Sequence, residues 1–128
     1  MGNTIRFNAT TEKEECLSMS NQGTDLFLEL LIRSSEFFEK TSSQAALIAF
    51  LQEQAEINDI APGTAGFDIE EMPWNEEILS EDVAFLVDVI TMAKDSMAWE
   101  KLGIGVNSKI MIPWLDRFEA LVNKRISV

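Results

Sequence analysis

Eleven carboxylates stand between Lys40 and Lys94 with no Lys or Arg among them: Glu53, Glu56, Asp59, Asp68, Glu70, Glu71, Glu76, Glu77, Glu81, Asp82 and Asp88. Carboxylates in such numbers can hold a divalent cation, move protons, or receive the Lys and Arg side chains of a partner. Charge distribution favours the third use. Residues 1–40 carry a net −3 and residues 94–128 a net +2, so nearly all of the chain's −12 lies in the middle. A surface of one sign steers an oppositely charged partner. It repels nucleic acid and anionic lipid, whose phosphates must be met by Lys and Arg. The expected partner is therefore a basic protein, not nucleic acid and not a membrane. Acids that merely keep a small protein soluble are the alternative, but complete exclusion of bases from residues 41–93 favours a partner.

The densest part is Gly66-Phe67-Asp68-Ile69-Glu70-Glu71-Met72-Pro73-Trp74-Asn75-Glu76-Glu77. It interleaves apolar anchors with five carboxylates, and an aromatic anchor ringed by charge is the composition of a binding hot spot. Asp68, Glu70, Glu71, Met72, Trp74, Glu76, Glu77, Glu81 and Asp82 form the candidate partner-binding set. The competing reading is that Phe67, Ile69 and Trp74 fasten a loop to the core while the acids face water. Trp74 fits either.

A metal-dependent enzyme is weighed on Glu53, Glu56 and Asp59, spaced every three residues, with Glu77, Glu81 and Asp82 near the next helix start. Carboxylates from two facing helices can hold Mg²⁺, as in all-α nucleotide pyrophosphatases. Such enzymes also need Lys or Arg for the nucleotide phosphates, and those lie outside the acidic block. The chain contains no His and no Tyr. Ser–His and Cys–His activation cannot arise within it, and a zinc site has too few ligands. Gly103-Ile104-Gly105 lacks the third Gly and the Lys of phosphate-binding loops. No catalytic residue, metal or cofactor is assigned.

With 128 residues and 46% apolar composition the chain reads as one globular domain. Cys16 is the only cysteine, which excludes an internal disulfide and points to the cytoplasm. The opening Met1-Gly2-Asn3-Thr4-Ile5-Arg6 has no signal-peptide hydrophobic region, and Arg6 breaks the myristoylation pattern. Cys16, beside Glu14 and Glu15, is read as a small apolar residue.

Four apolar stripes at helical spacing supply the scaffold. The first spans about Thr24 to Lys40 (Leu26, Phe27, Leu30, Leu31, Ser34, Phe37, Phe38), with Thr24 as N-cap. The second follows Thr41, which has capping-box spacing to Gln44, with Ser43 as a rival cap. It runs through Ala46, Leu47, Phe50, Leu51 and Gln54 to about Ile57. The third starts at Ser80-Glu81-Asp82 and carries Phe85, Leu86, Val89, Ile90, Ala93 and Met97 to an end near Leu102, before Gly103. The fourth begins near Pro113 and presents Trp114, Leu115, Phe118, Leu121, Val122 and Ile126. Trp99 and Trp114 are read as core or groove residues, and Lys124 and Arg125 as complements to the last helix's C-terminus. Residues 58–79 read as a long ordered loop with room for a short strand or single turn. Thr4 to Phe7 allow a short strand, and Thr11-x-x-Glu14 a short helix through Met19. The expected fold is all-α: a compact bundle of about four amphipathic helices with one long central loop.

At Phe67-Asp68-Ile69-Glu70-Glu71-x-Pro73-Trp74, before an amphipathic helix, this short, acidic, His-free chain resembles the small bacterial immunity proteins of contact-dependent inhibition and polymorphic-toxin systems. The likeness covers roughly Phe67 to Met97. Family members differ in fold, so the resemblance implies a role, binding and neutralising a cognate toxin domain, more than an architecture. Many such toxins are basic nucleases, and their inhibitors set acids where nucleic-acid phosphates would lie. The expected function is thus steric and electrostatic blocking of a basic toxin. The alternatives are a regulatory adaptor or phage-encoded inhibitor with the same acidic surface, then the Mg²⁺-dependent hydrolase.

Overall fold

A computed structural model describes residues 2–7, 16–95 and 108–127. The chain is mostly helical. Strand β1 (Asn3–Arg6) and strand β2 (Leu17–Met19) precede helices α1 (Asn21–Ser35) and α2 (Ser42–Ile60). Strand β3 (Gly66–Asp68), two 3-10 turns (Ile69–Glu71 and Glu76–Ile78), α3 (Leu79–Asp95) and α4 (Ser108–Ser127) follow.

The expectation of a purely helical bundle is corrected by a small mixed sheet of order β2-β1-β3. β1 pairs antiparallel with β2 and parallel with β3, with Ile5 opposite both Leu17 and Phe67. The short strand expected near Thr4 is present, as is one in the central loop. At the end of the helix expected through Met19, Leu17–Met19 form a strand instead, with Leu17 and Met19 against the core and Ser18 exposed. Thr11 and Glu14 lie outside the described residues. So do Met97, Trp99, the expected helix end near Leu102 and the connection from Gly103 to Asn107.

Helix boundaries follow the caps. Ser20, not Thr24, caps α1: its Oγ accepts the Gly23 N–H at 3.0 Å. Thr24 is buried one turn in, its hydroxyl donating to the Ser20 carbonyl at 2.7 Å. Helix α1 stops at Ser35 rather than Lys40, so Phe37 points into solvent while Phe38 meets Phe85 edge-on at 6.3 Å. Thr41 caps α2 with the expected box: Thr41 Oγ1 accepts the Gln44 N–H, and Gln44 Oε1 accepts the Thr41 N–H. Ser80 is not a cap, since α3 begins at Leu79 directly from the preceding 3-10 turn. Helix α4 begins five residues before Pro113, which falls in its second turn.

Helix α1 packs against α2 and α3, and α3 against α4, which also reaches β2 and the Ile69–Glu71 turn. Phe27 and Phe118 meet edge-on at 5.4 Å between α1 and α4. Phe50 and Phe67 do the same at 5.0 Å between α2 and β3. A buried polar cluster ties the sheet to both helix ends: Asn3 Nδ2 donates to Thr24 Oγ1 and Asn58 Oδ1, each at 2.9 Å. Asn58 Nδ2 in turn donates to the Asn21 carbonyl and to Asp25 Oδ1. Among the described residues no helix is long and apolar enough to cross a membrane.

Candidate functional site

Gly66 opens the segment at φ 143°, and a Cβ there would stand 2.7 Å from the Thr4 carbonyl oxygen. Only glycine lets β3 approach β1 so closely. Phe67 and Ile69 then enter the core. Asp68 Oδ1 accepts the Glu70 N–H at 3.0 Å and starts the first 3-10 turn. The chain folds back on itself where Trp74 Nε1 donates to the Ile69 carbonyl at 2.7 Å. Asn75 Oδ1 caps the second turn by accepting the Glu77 N–H.

Asp82 closes the arrangement. It is fully buried, with one carboxylate oxygen accepting the Ser43 hydroxyl and the other the Asn75 N–H, each at 3.0 Å. One side chain thus joins the starts of α2 and α3 to the acidic segment. A buried carboxylate is tolerable only with such partners.

The nine sequence candidates therefore separate into three groups. Asp68, Met72 and Asp82 are buried. Trp74 is half-buried against the core and hydrogen-bonded, which is the fastening arrangement. Glu70, Glu71, Glu76, Glu77 and Glu81 are exposed. Of these, Glu76 is paired with Arg125 from the last turn of α4. Among the described residues, Glu70, Glu71, Glu77 and Glu81 have no ion pair. Glu53, Glu56, Asp59 and Asp88 are exposed on the helices.

Two links escape the sequence. Ser43 has a local reading as a cap, yet its hydroxyl serves Asp82, 39 residues away. Arg125 has a local reading at a helix C-terminus, yet it reaches a carboxylate 49 residues away. No nearby spacing marks either pair.

At the border of the acidic block, Lys94 Nζ contacts Asp116 at 2.9 Å and Glu119 at 3.2 Å. The hydrogen bond to Asp116 raises the Lys94 pKa above its ordinary 10.5, aided by Glu119 and opposed by partial burial. That cation is already engaged within the fold. Among the described residues no group of three or more His, Cys, Asp or Glu side chains comes together as a metal site would need. The carboxylates weighed for Mg²⁺ do not converge in that way.

The chain matches no protein-family model, no curated protein and no solved structure.

Proposed function

We propose that this protein binds a basic protein partner through its acidic segment, and that the partner is a toxin domain which it neutralises. The observation that carries the reading is the exposure of Glu70, Glu71, Glu77 and Glu81, with no ion pair among the described residues, on a segment fastened from behind. Carboxylates held on ordered turns lose little freedom when a partner's Lys or Arg arrives, which favours tight charge-assisted hydrogen bonds. Nine of the eleven carboxylates between Lys40 and Lys94 face solvent, so the field that would steer such a partner is available. On a toxin that acts on nucleic acid, these groups would occupy the cationic positions meant for phosphates.

The test is co-expression. Cells producing this protein together with the product of the reading frame preceding its gene should survive where cells producing that product alone do not. Survival independent of this protein, or death despite its abundance, would count against a neutralising role. Tight Mg²⁺ or Mn²⁺ binding with nucleotide turnover would instead favour the hydrolase.

A further inference from the structure

Glu76 stands on the acidic segment with 66% of its side chain exposed, yet its carboxylate is taken by this chain's own Arg125. Arg125 is the reverse case: its side chain is 22% exposed, and its Nε is buried with no hydrogen-bond partner among the described residues. The guanidinium is thus only partly satisfied where it lies. The segment does not need this pair for its shape. Asp82 to the Asn75 N–H, Asn75 to the Glu77 N–H, and Trp74 to the Ile69 carbonyl already set its course on both sides of Glu76. An ion pair with so exposed a carboxylate contributes little to stability.

We propose that Arg125 is an internal stand-in for a partner's arginine. It occupies Glu76 in the free protein and leaves when an incoming guanidinium takes the same carboxylate. This rests on the acidic segment being the binding surface. The exchange conserves charge at Glu76, replacing one charge-assisted pair by another. Release also lets the unpartnered Nε of Arg125 reach water, which a simple docking onto a free carboxylate would not offer. The device favours Arg over Lys in the partner, because a planar guanidinium can engage both carboxylate oxygens while an ammonium acts as a point charge.

A fluorescent deca-arginine peptide titrated into the full chain tests the exchange. Arg125→Gln should bind several-fold tighter than Arg117→Gln, which makes the same change in net charge from an exposed position on α4. The advantage should vanish when both variants also carry Glu76→Gln, because no carboxylate is then released and the two double variants have equal net charge. Equal affinities for Arg125→Gln and Arg117→Gln would overturn the proposal, as would an advantage that persists without Glu76. Weaker binding by Arg125→Gln, with its circular dichroism spectrum unchanged, would overturn it too and make Arg125 a positioning residue. A Glu70→Gln/Glu71→Gln/Glu77→Gln/Glu81→Gln variant separates the levels. If it binds like the parent, the acidic-segment reading falls and the exchange with it. If it binds more weakly while Arg125→Gln equals Arg117→Gln, only the exchange falls.

Discussion

Asp82 accepts the backbone N–H of Asn75 at 3.0 Å from within the first turn of α3. The two residues lie on either side of the second 3-10 turn, so the bond closes that turn against the helix it leads into. An acid that sequence assigns to the charged surface is thereby a fixed internal part, and its neighbour Glu81 remains outside.

Replacing Asp82 with Ala leaves the Ser43 hydroxyl and the Asn75 N–H without their acceptor. The expected loss is about 3 kcal/mol of folding stability, in line with two orphaned partners of a buried charged group. Glu81→Ala should change stability by less than about 0.5 kcal/mol, as for an ordinary surface site. Urea midpoints with unchanged slopes read both. Equal midpoints for the two variants would remove Asp82 from the framework.

Trp114 sets a second expectation. A Cβ at Gly23 would stand 2.6 Å from Cζ3 of the Trp114 ring and 2.8 Å from the Ser20 Oγ, so a larger residue there must displace both side chains at the α1–α4 contact. Gly23→Ala should cost about 1–3 kcal/mol by overpacking, despite alanine's better helix propensity. Adding Trp114→Leu should recover part of the loss by removing the ring. A Gly23→Ala chain as stable as the parent would contradict this packing.

Trp74 separates a core fastener from an interface anchor. Trp74→Ala should lower stability by about 2–3 kcal/mol, below the range for a fully buried ring because Trp74 is only half-buried. Trp74→Phe keeps much of the ring and loses the bond to Ile69, for about 1 kcal/mol. Thermal melts check both. An unchanged melting temperature for Trp74→Ala would return this ring to the binding surface.

The Lys94 pairs give a pH dependence of definite sign. Its folded-state pKa lies above 10.5, so its contribution to stability is complete below pH 10.5 and is lost as pH rises through the folded value. Lys94→Gln should lack that component. The difference between parent and variant urea midpoints should therefore shrink above pH 10.5. A constant difference would show that the pairs do not act through Lys94 ionisation.

Much of the scaffold is legible in the amino-acid pattern. Of the stripe Leu26, Phe27, Leu30, Leu31, Ser34, Phe37 and Phe38, the middle members Phe27, Leu30, Leu31 and Ser34 are buried. Leu26 and Phe38 are partly buried and Phe37 is exposed beyond the helix end, while the Thr41–Gln44 box caps as its spacing requires. Both signals are local, and local signals survive folding. The sheet is less legible because β1 and β3 have only four and three residues, too few for alternation to stand out, and they pair across the whole of α1 and α2. Ser20 is missed as the α1 cap because Thr24 offers an equally good hydroxyl one turn later. In the acidic segment, residue type alone does not tell Glu81 from Asp82. What separates them is helical phase relative to Ser43 and Asn75, fixed only when α2 and α3 meet. Arg125 and Glu76 are likewise joined by packing alone.

The central claim, that Glu70, Glu71, Glu77 and Glu81 receive a basic partner, is tested most directly by an association rate. The partner that this protein neutralises in the co-expression assay would be mixed with the parent and with the four-Gln variant, at low and at physiological ionic strength. For the parent the rate should fall severalfold as the Debye length contracts to about 8 Å. For the variant it should start lower and depend less on salt. A parent rate independent of salt, or a four-Gln variant that associates as fast as the parent, would contradict the account.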